Sequence, residues 1–321
     1  MRTTRPNHAP APARRRRQLI IAMAVALLFA TPVLAGFGAT WVGYRLYDEP
    51  FVFFNQNRIA AMADRAWRTP GTAVVVALGG SRLRHATPDE GGMAELAARH
   101  GLPRLGFLRI VHDSADIGAF EPLLDRLVAL KPALVLLDLD LMFRERRALA
   151  TYRAYLDVLY GALAEGRAYL PDQVAMQYAR PCPRRDDPAW AAQADLDTFL
   201  EQANAAANVR ADSPAFARVQ AMVARLRAAG ARVALLPIAG PRAVEERVYG
   251  AGNAYLPGAL ARVRAETDPE VWRAPAAGGD EADFCDFAHM VPEAAAVYAD
   301  WLAGRIAAAI SGPAVEAVSL K

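Results

Sequence analysis

Apolar residues fall along the chain in three patterns. The first is one unbroken run, residues 19–43, about 25 residues without a charged side chain. A bilayer core of roughly 30 Å needs about 20 apolar residues in a helix, so this run is long enough to span it. The second is a set of short runs rich in Val and Leu: 72–78, 104–110, 133–137 and 232–237. Continuous apolar runs of that length predict strands buried on both faces, as in a parallel sheet. The third is helical: 93–99 closed by Gly101, 117–130, 152–164, a helix opened by Asp212-Ser213-Pro214 and stopped at Gly230, and 292–309. Strands alternating with helices predict an α/β fold, a mainly parallel sheet with helices on both faces.

Charge orders these segments. Residues 1–18 hold Arg2, Arg5 and the block Arg14–Arg17 with no acid. Basic residues stay on the cytoplasmic side, so 1–18 is expected as a cytoplasmic tail, 19–43 as a transmembrane anchor, and the rest outside, periplasmic or otherwise extracytoplasmic. The competing reading is a cleaved signal peptide ending near Val33-Leu34-Ala35. Residues 44–70 read as a juxtamembrane connector, partly helical over 57–67. One α/β domain is expected over 71–311, with a polar, alanine-rich helical insertion at about 180–210 and a loose tail at 312–321.

The formal net charge is +3, and without the six tail arginines it becomes −3. The globular part is therefore slightly acidic and carries no basic, aromatic-interleaved stripe, which argues against nucleic acid as a partner. Two cysteines, Cys182 and Cys285, are either a disulfide closing a long loop or two buried thiols.

Chemistry concentrates at two places. Ser81 follows the first buried run through Gly79-Gly80, and active groups of open α/β sheets gather at the carboxyl ends of strands. Near the other end stands Asp283-Phe-Cys-Asp286-Phe-Ala-His289-Met-Val-Pro292. A hydroxyl needs a base to become a nucleophile, and a carboxylate fixes the tautomer of an imidazole base. Asp286 and His289, three residues apart on one loop, can serve one hydroxyl, with Asp283 as the fallback acid.

Leu78-Gly79-Gly80-Ser81 resembles the first block of the SGNH (GDSL-like) hydrolase family. Asp286-Phe-Ala-His289 before Pro292-Glu293-Ala294 is similar to that family's last block, ahead of the closing helix. The resemblance covers roughly 72–309. It implies a serine esterase or acyl transferase with Ser81 as nucleophile, His289 as base and Asp286 as orienting acid, and no cofactor or metal. Two blocks depart from the family's pattern. The stretch Ile110-Val-His112-Asp113-Ser114 lacks the glycine that donates to an oxyanion, and Leu137-Asp138-Leu139-Asp140 lacks the asparagine. A carboxylate cannot donate unless protonated, so other donors must serve: the Ser81 and Ser114 N–H groups with Arg82 or Arg84. Membrane-tethered relatives with altered blocks resemble proteins that acylate exported polysaccharides. That implies a carbohydrate or acylated glycan as substrate and a membrane-bound acyl-donor protein as partner.

Other candidates have plainer readings. His85 and His112 lie near strand ends and could join the site or face solvent. His100 before Gly101 fits a helix C-terminal cation. Asp138 and Asp140 have no His or Cys beside them in ligand spacing. Two functions remain open, a serine-dependent acyl-transfer enzyme and a non-catalytic glycan-binding or assembly module.

Overall fold

The computed structural model describes residues 12–113, 115–142, 148–166, 177–178, 182, 214–242, 270–274 and 280–312. Helix α1 (Pro12–Gly43) holds the uncharged run, and a π-helical segment (Tyr44–Asp48) joins it without a break to α2 (Glu49–Arg68). Among the described residues this is the helix long and apolar enough to cross a membrane, with a mean hydropathy of 2.4 in its most apolar window.

The stretch expected as a connector is thus helical well beyond 57–67. Phe51, Ile59 and Met62 of α2 are buried in the same core as the strands. The polar Asn55 sits within that buried stripe and obscures it in the sequence. Its Nδ2 donates to the Phe51 carbonyl at 2.9 Å, and its Oδ1 accepts from Arg58 at 2.7 Å. Satisfied in this way, a buried amide costs little.

Among the described residues, five strands form one sheet in the order β2-β1-β3-β4-β5, every pair parallel. They are β1 (Ala73–Gly79), β2 (Leu105–Val111), β3 (Leu134–Asp138), β4 (Arg232–Leu236) and the short β5 (Glu270–Val271). Side chains alternate between two cores, as a two-residue period requires. Val74, Val76 and Leu78 face α2, α5 (Leu124–Leu130) and α7 (Pro214–Ala228). Val75 and Ala77 face α3 (Ser81–Ala86), α4 (Glu90–Arg99) and α8 (Pro292–Ser311). Helix α6 (Ala148–Ala164) packs against α1.

The four long strands lie within a residue of the runs read from the sequence, and β5, with two residues, was too short to register. The expected single helix over 117–130 is instead two 3₁₀ turns, Ile117–Ala119 and Glu121–Leu123, followed by α5. Pro122 lacks the N–H a continuous helix would use there. The insertion expected at about 180–210 lies almost wholly outside the described residues, as do the cap residues 212–213 and the tail from 313.

A strand order of 2-1-3-4-5 reverses direction between β1 and β3. In doubly wound sheets, ligands bind in the crevice outside the carboxyl ends of the strands at that reversal. Ser81 follows β1, and Asp138 ends β3.

Candidate active site

Strand β1 delivers Ser81. Gly79 ends the strand where a side chain would not fit: a Cβ there would lie 2.8 Å from the Leu83 side chain and 3.0 Å from that of Asp138. Gly80 is extended, and Ser81 opens the short helix α3 rather than sitting in a free turn. Leu83 and Ala86 bury the other side of α3, so the serine rests on a packed support.

The loop before α8 delivers Asp286 and His289. Phe284 and Met290 pair across it as an antiparallel bridge and are buried. The Cys285 N–H donates to the His289 carbonyl at 3.0 Å. Cys285 is bonded to Cys182, 103 positions earlier, with the Cα atoms 5.7 Å apart. These ties leave the loop little freedom. Sulfurs joined in this way are not free thiolates to hold a metal alongside Asp286.

The three side chains meet. Asp286 Oδ2 lies 2.7 Å from His289 Nδ1, and His289 Nε2 lies 2.8 Å from Ser81 Oγ. An ionised carboxylate only accepts hydrogen bonds, so Nδ1 carries the ring proton and Nε2 is left to accept from the hydroxyl. Asp286 Oδ1 accepts from the backbone N–H groups of Ala288 and His289, at 2.8 and 2.9 Å. Burial raises the Asp286 pKa, but the hydrogen bond and charge of His289 and the two N–H groups outweigh it and leave it below the usual carboxylate value. The partner of Nδ1 is Asp286, not the fallback Asp283.

Around Ser81 the polar residues divide. A small pocket is lined by Gly80, Ser81, Arg82, Ala115, Asp138, Asp140 and Leu141. Arg82 is therefore beside the serine, 3.5 Å from Asp140. Arg84 turns elsewhere: it pairs with Asp113 at 3.0 Å and reaches His85 at 3.5 Å. Asp138 is buried and takes the Gly80 N–H at 3.3 Å and the Asp140 N–H at 3.1 Å. Ser114 lies outside the described residues.

His85 was only one of several loop histidines in the sequence, yet its ring centre is 4.4 Å from that of His289. The signal was its spacing: four residues after Ser81 on a helix is one turn away. Burial, then His289 and Arg84, push its pKa down to about 4, so it is neutral near pH 7. His112 is buried against Phe51 at 4.8 Å, near Asp48. His100, at the C-terminal end of α4, lies 3.1 Å from Asp300 of α8.

A buried polar framework behind α3 was not legible in the sequence. Arg109 on β2 donates to the carbonyls of Arg84, Thr87, Pro88 and Gln177, so one guanidinium fixes the segment that follows the serine. Gln177 in turn pairs with both the N–H and carbonyl of Val111, closing the end of the edge strand. Burial lowers the pKa of Arg109 to about 10, still charged at pH 7.

No protein-family model matches the chain, and no curated protein matches its sequence. Solved structures show partial likeness. An acetyl xylan esterase, AlAXEase, is 11% identical, with 74% of this chain and 97% of that chain covered and a TM-score of 0.38. A GDSL-like lipase from Bacteroides thetaiotaomicron is 11% identical, with 80% and 98% covered and a TM-score of 0.39.

Proposed function

We propose that this protein is a membrane-tethered serine esterase or O-acyltransferase acting on a cell-envelope or exported carbohydrate. The observation that carries the reading is the hydrogen-bonded line Asp286–His289–Ser81, at 2.7 and 2.8 Å, beside the crevice where the sheet order reverses. In this reading His289 Nε2 takes the hydroxyl proton as Ser81 Oγ attacks an ester carbonyl. Asp286 holds the ring and stabilises its charged form. The imidazolium then protonates the leaving alcohol, giving an acyl-serine. His289 next deprotonates an incoming water or sugar hydroxyl, which attacks the acyl carbonyl, and the proton returns to Ser81. Water makes the reaction hydrolysis; a sugar hydroxyl makes it transfer. Arg82, lining the pocket with Ser81, is the side-chain donor best placed for the oxyanion.

The apolar α1 and the basic residues before it support a single-pass anchor with the domain on the outer side. With that topology, an envelope glycan and a membrane-bound acyl donor would be within reach. Reporters fused after Lys321 should be active only when they require the outer compartment; activity of a cytoplasm-dependent reporter alone would overturn this topology.

A second reading is a glycan-binding or assembly module without turnover. It is favoured by Asp138 and Asp140, whose carboxylates line the pocket where an oxyanion would form. The deciding experiment is labelling of the purified protein by a serine-reactive phosphonate, with hydrolysis of an aryl acetate and transfer to a sugar acceptor measured in parallel. Label mapped to Ser81 and turnover lost in Ser81→Ala and His289→Ala supports the enzyme. A wild-type protein that binds glycan but neither labels nor turns over supports the module.

A further inference from the structure

Two contacts fix the direction of α2 against the sheet. Near its start, Phe51 stacks edge-on against His112, just past the carboxyl end of β2. Near its end, Met62 lies against Gly106 at the beginning of β2, where a Cβ would be 2.9 Å from its sulfur. Helix α2 therefore runs antiparallel to β2 and to the parallel β1. The end of α2 that continues into α1 is level with the carboxyl edge of the sheet, the edge that carries Ser81. The His112 N–H donates to the Gly79 carbonyl at 3.1 Å, two residues from the serine.

Helix α6 occupies the same pole. It packs on α1 and the π-helical segment. Tyr155 bonds to Asp48 and fills the space that a side chain at Gly43 would need. The α1 positions turned inward are small, with Ala39 and Gly43 buried; on α6 they are Tyr155, Val158 and Gly161. Small residues let helix backbones approach closely. Ala39 and Gly43 belong to the uncharged run, so α6 overlaps the end of the span itself and not only the domain. Its outer face leaves Leu156 and, at 66% and 78% exposure, Tyr160 and Leu163 uncovered. Trp41 and Tyr44, also exposed, ring α1 at this level, as aromatic side chains do at a membrane boundary.

We propose that α6 is seated in the lipid interface beside the anchor, with Leu156, Tyr160 and Leu163 in the headgroup–acyl boundary, so that the Ser81 pole faces the membrane surface. The occupant of this apolar face is the bilayer, because the face is continuous with the span that α1 already presents to it. Helices lying at that boundary bury their apolar side by about 5–10 Å. The site then meets substrates held at the membrane before those free in bulk water. This rests on the anchor in the function proposed above.

The test uses the full chain in phosphatidylethanolamine–phosphatidylglycerol vesicles doped with lipids spin-labelled near the glycerol end of the acyl chain. Single cysteines carrying a fluorophore are introduced as Tyr160→Cys, Leu163→Cys, Phe29→Cys in the span and Trp67→Cys, 85% exposed at the far end of α2. The expected result is severalfold stronger lipid quenching at 160 and 163 than at 67, with quenching also at 29. Quenching at 29 with 160 and 163 no different from 67 overturns the seat of α6 and leaves the anchor standing. Absence of quenching at 29 overturns the anchor and, with it, this proposal.

Discussion

Asp286→Asn separates a working relay from three side chains that happen to touch. Oδ1 of Asp286 accepts two backbone N–H groups, from Ala288 and His289, while Oδ2 faces His289 Nδ1. An asparagine can satisfy both N–H donors only by placing its amide oxygen at the Oδ1 position. Its NH₂ then points at Nδ1 and donates to it, which moves the ring proton to Nε2, where it faces Ser81. The imidazole can no longer accept the hydroxyl proton. Flipping the amide restores the tautomer but sets NH₂ against two N–H donors, at about 1–3 kcal/mol for each. The Asp286 side chain is 40% exposed, so the low end, about 2 kcal/mol in all, is the better choice. That still confines the productive flip to about one molecule in 30. Loss of the negative charge beside the developing imidazolium adds to this, and about 10³- to 10⁴-fold in kcat is expected, roughly 4–5.5 kcal/mol. The assay is aryl acetate hydrolysis by wild type, Asp286→Asn, Ser81→Ala and the double variant, with near-ultraviolet circular dichroism to verify folding. The single losses should not add, since residues acting as a unit fail together. Asp286→Asn within about threefold of an active wild type would refute the relay.

Arg82→Gln should lower kcat by about 10²- to 10³-fold with KM little changed, as loss of an oxyanion donor does, while Arg84→Gln should not; equal effects would remove Arg82 from that role. Replacing Cys182 and Cys285 together by serine opens a loop of 103 positions and should cost about 4–5 kcal/mol in denaturant unfolding; an unchanged midpoint would contradict the tie. His85 has a folded pKa near 4 against an ordinary 6.5, so the unfolded chain takes up its proton first. Stability should therefore fall as pH drops from about 6.5 to 4, and His85→Asn should flatten that part of the profile; an unaltered pH–Tm curve would rule the contribution out.

The sheet was largely legible because parallel strands buried on both faces leave uninterrupted apolar runs. The two ends of the candidate site were legible for a similar reason: Gly79-Gly80-Ser81 breaks such a run, and Asp286 and His289 share one short loop before a proline-opened helix. What lay hidden depends on distance in the fold. Asn55 masked the buried stripe of α2, and Arg109 in the middle of β2 gives no hint of the carbonyls it gathers. The packing of His85 against His289 joins residues 204 positions apart, a relation no local pattern carries. Arg82 and Arg84 are two residues apart in sequence, yet only the structure shows that one lines the pocket and the other serves Asp113.

Ser81 and His289 are separated by 208 positions. A ribosome adds about 5–20 residues per second, so roughly 10–40 s pass between the synthesis of Ser81 and that of His289. Through that interval the growing chain holds an ordinary hydroxyl with nothing to deprotonate it. His289 arrives with the loop that also brings Cys285 to Cys182, a tie closed by oxidation. In the proposed function, acyl chemistry is thereby withheld from the half-made chain and begins only when the loop before α8 has docked.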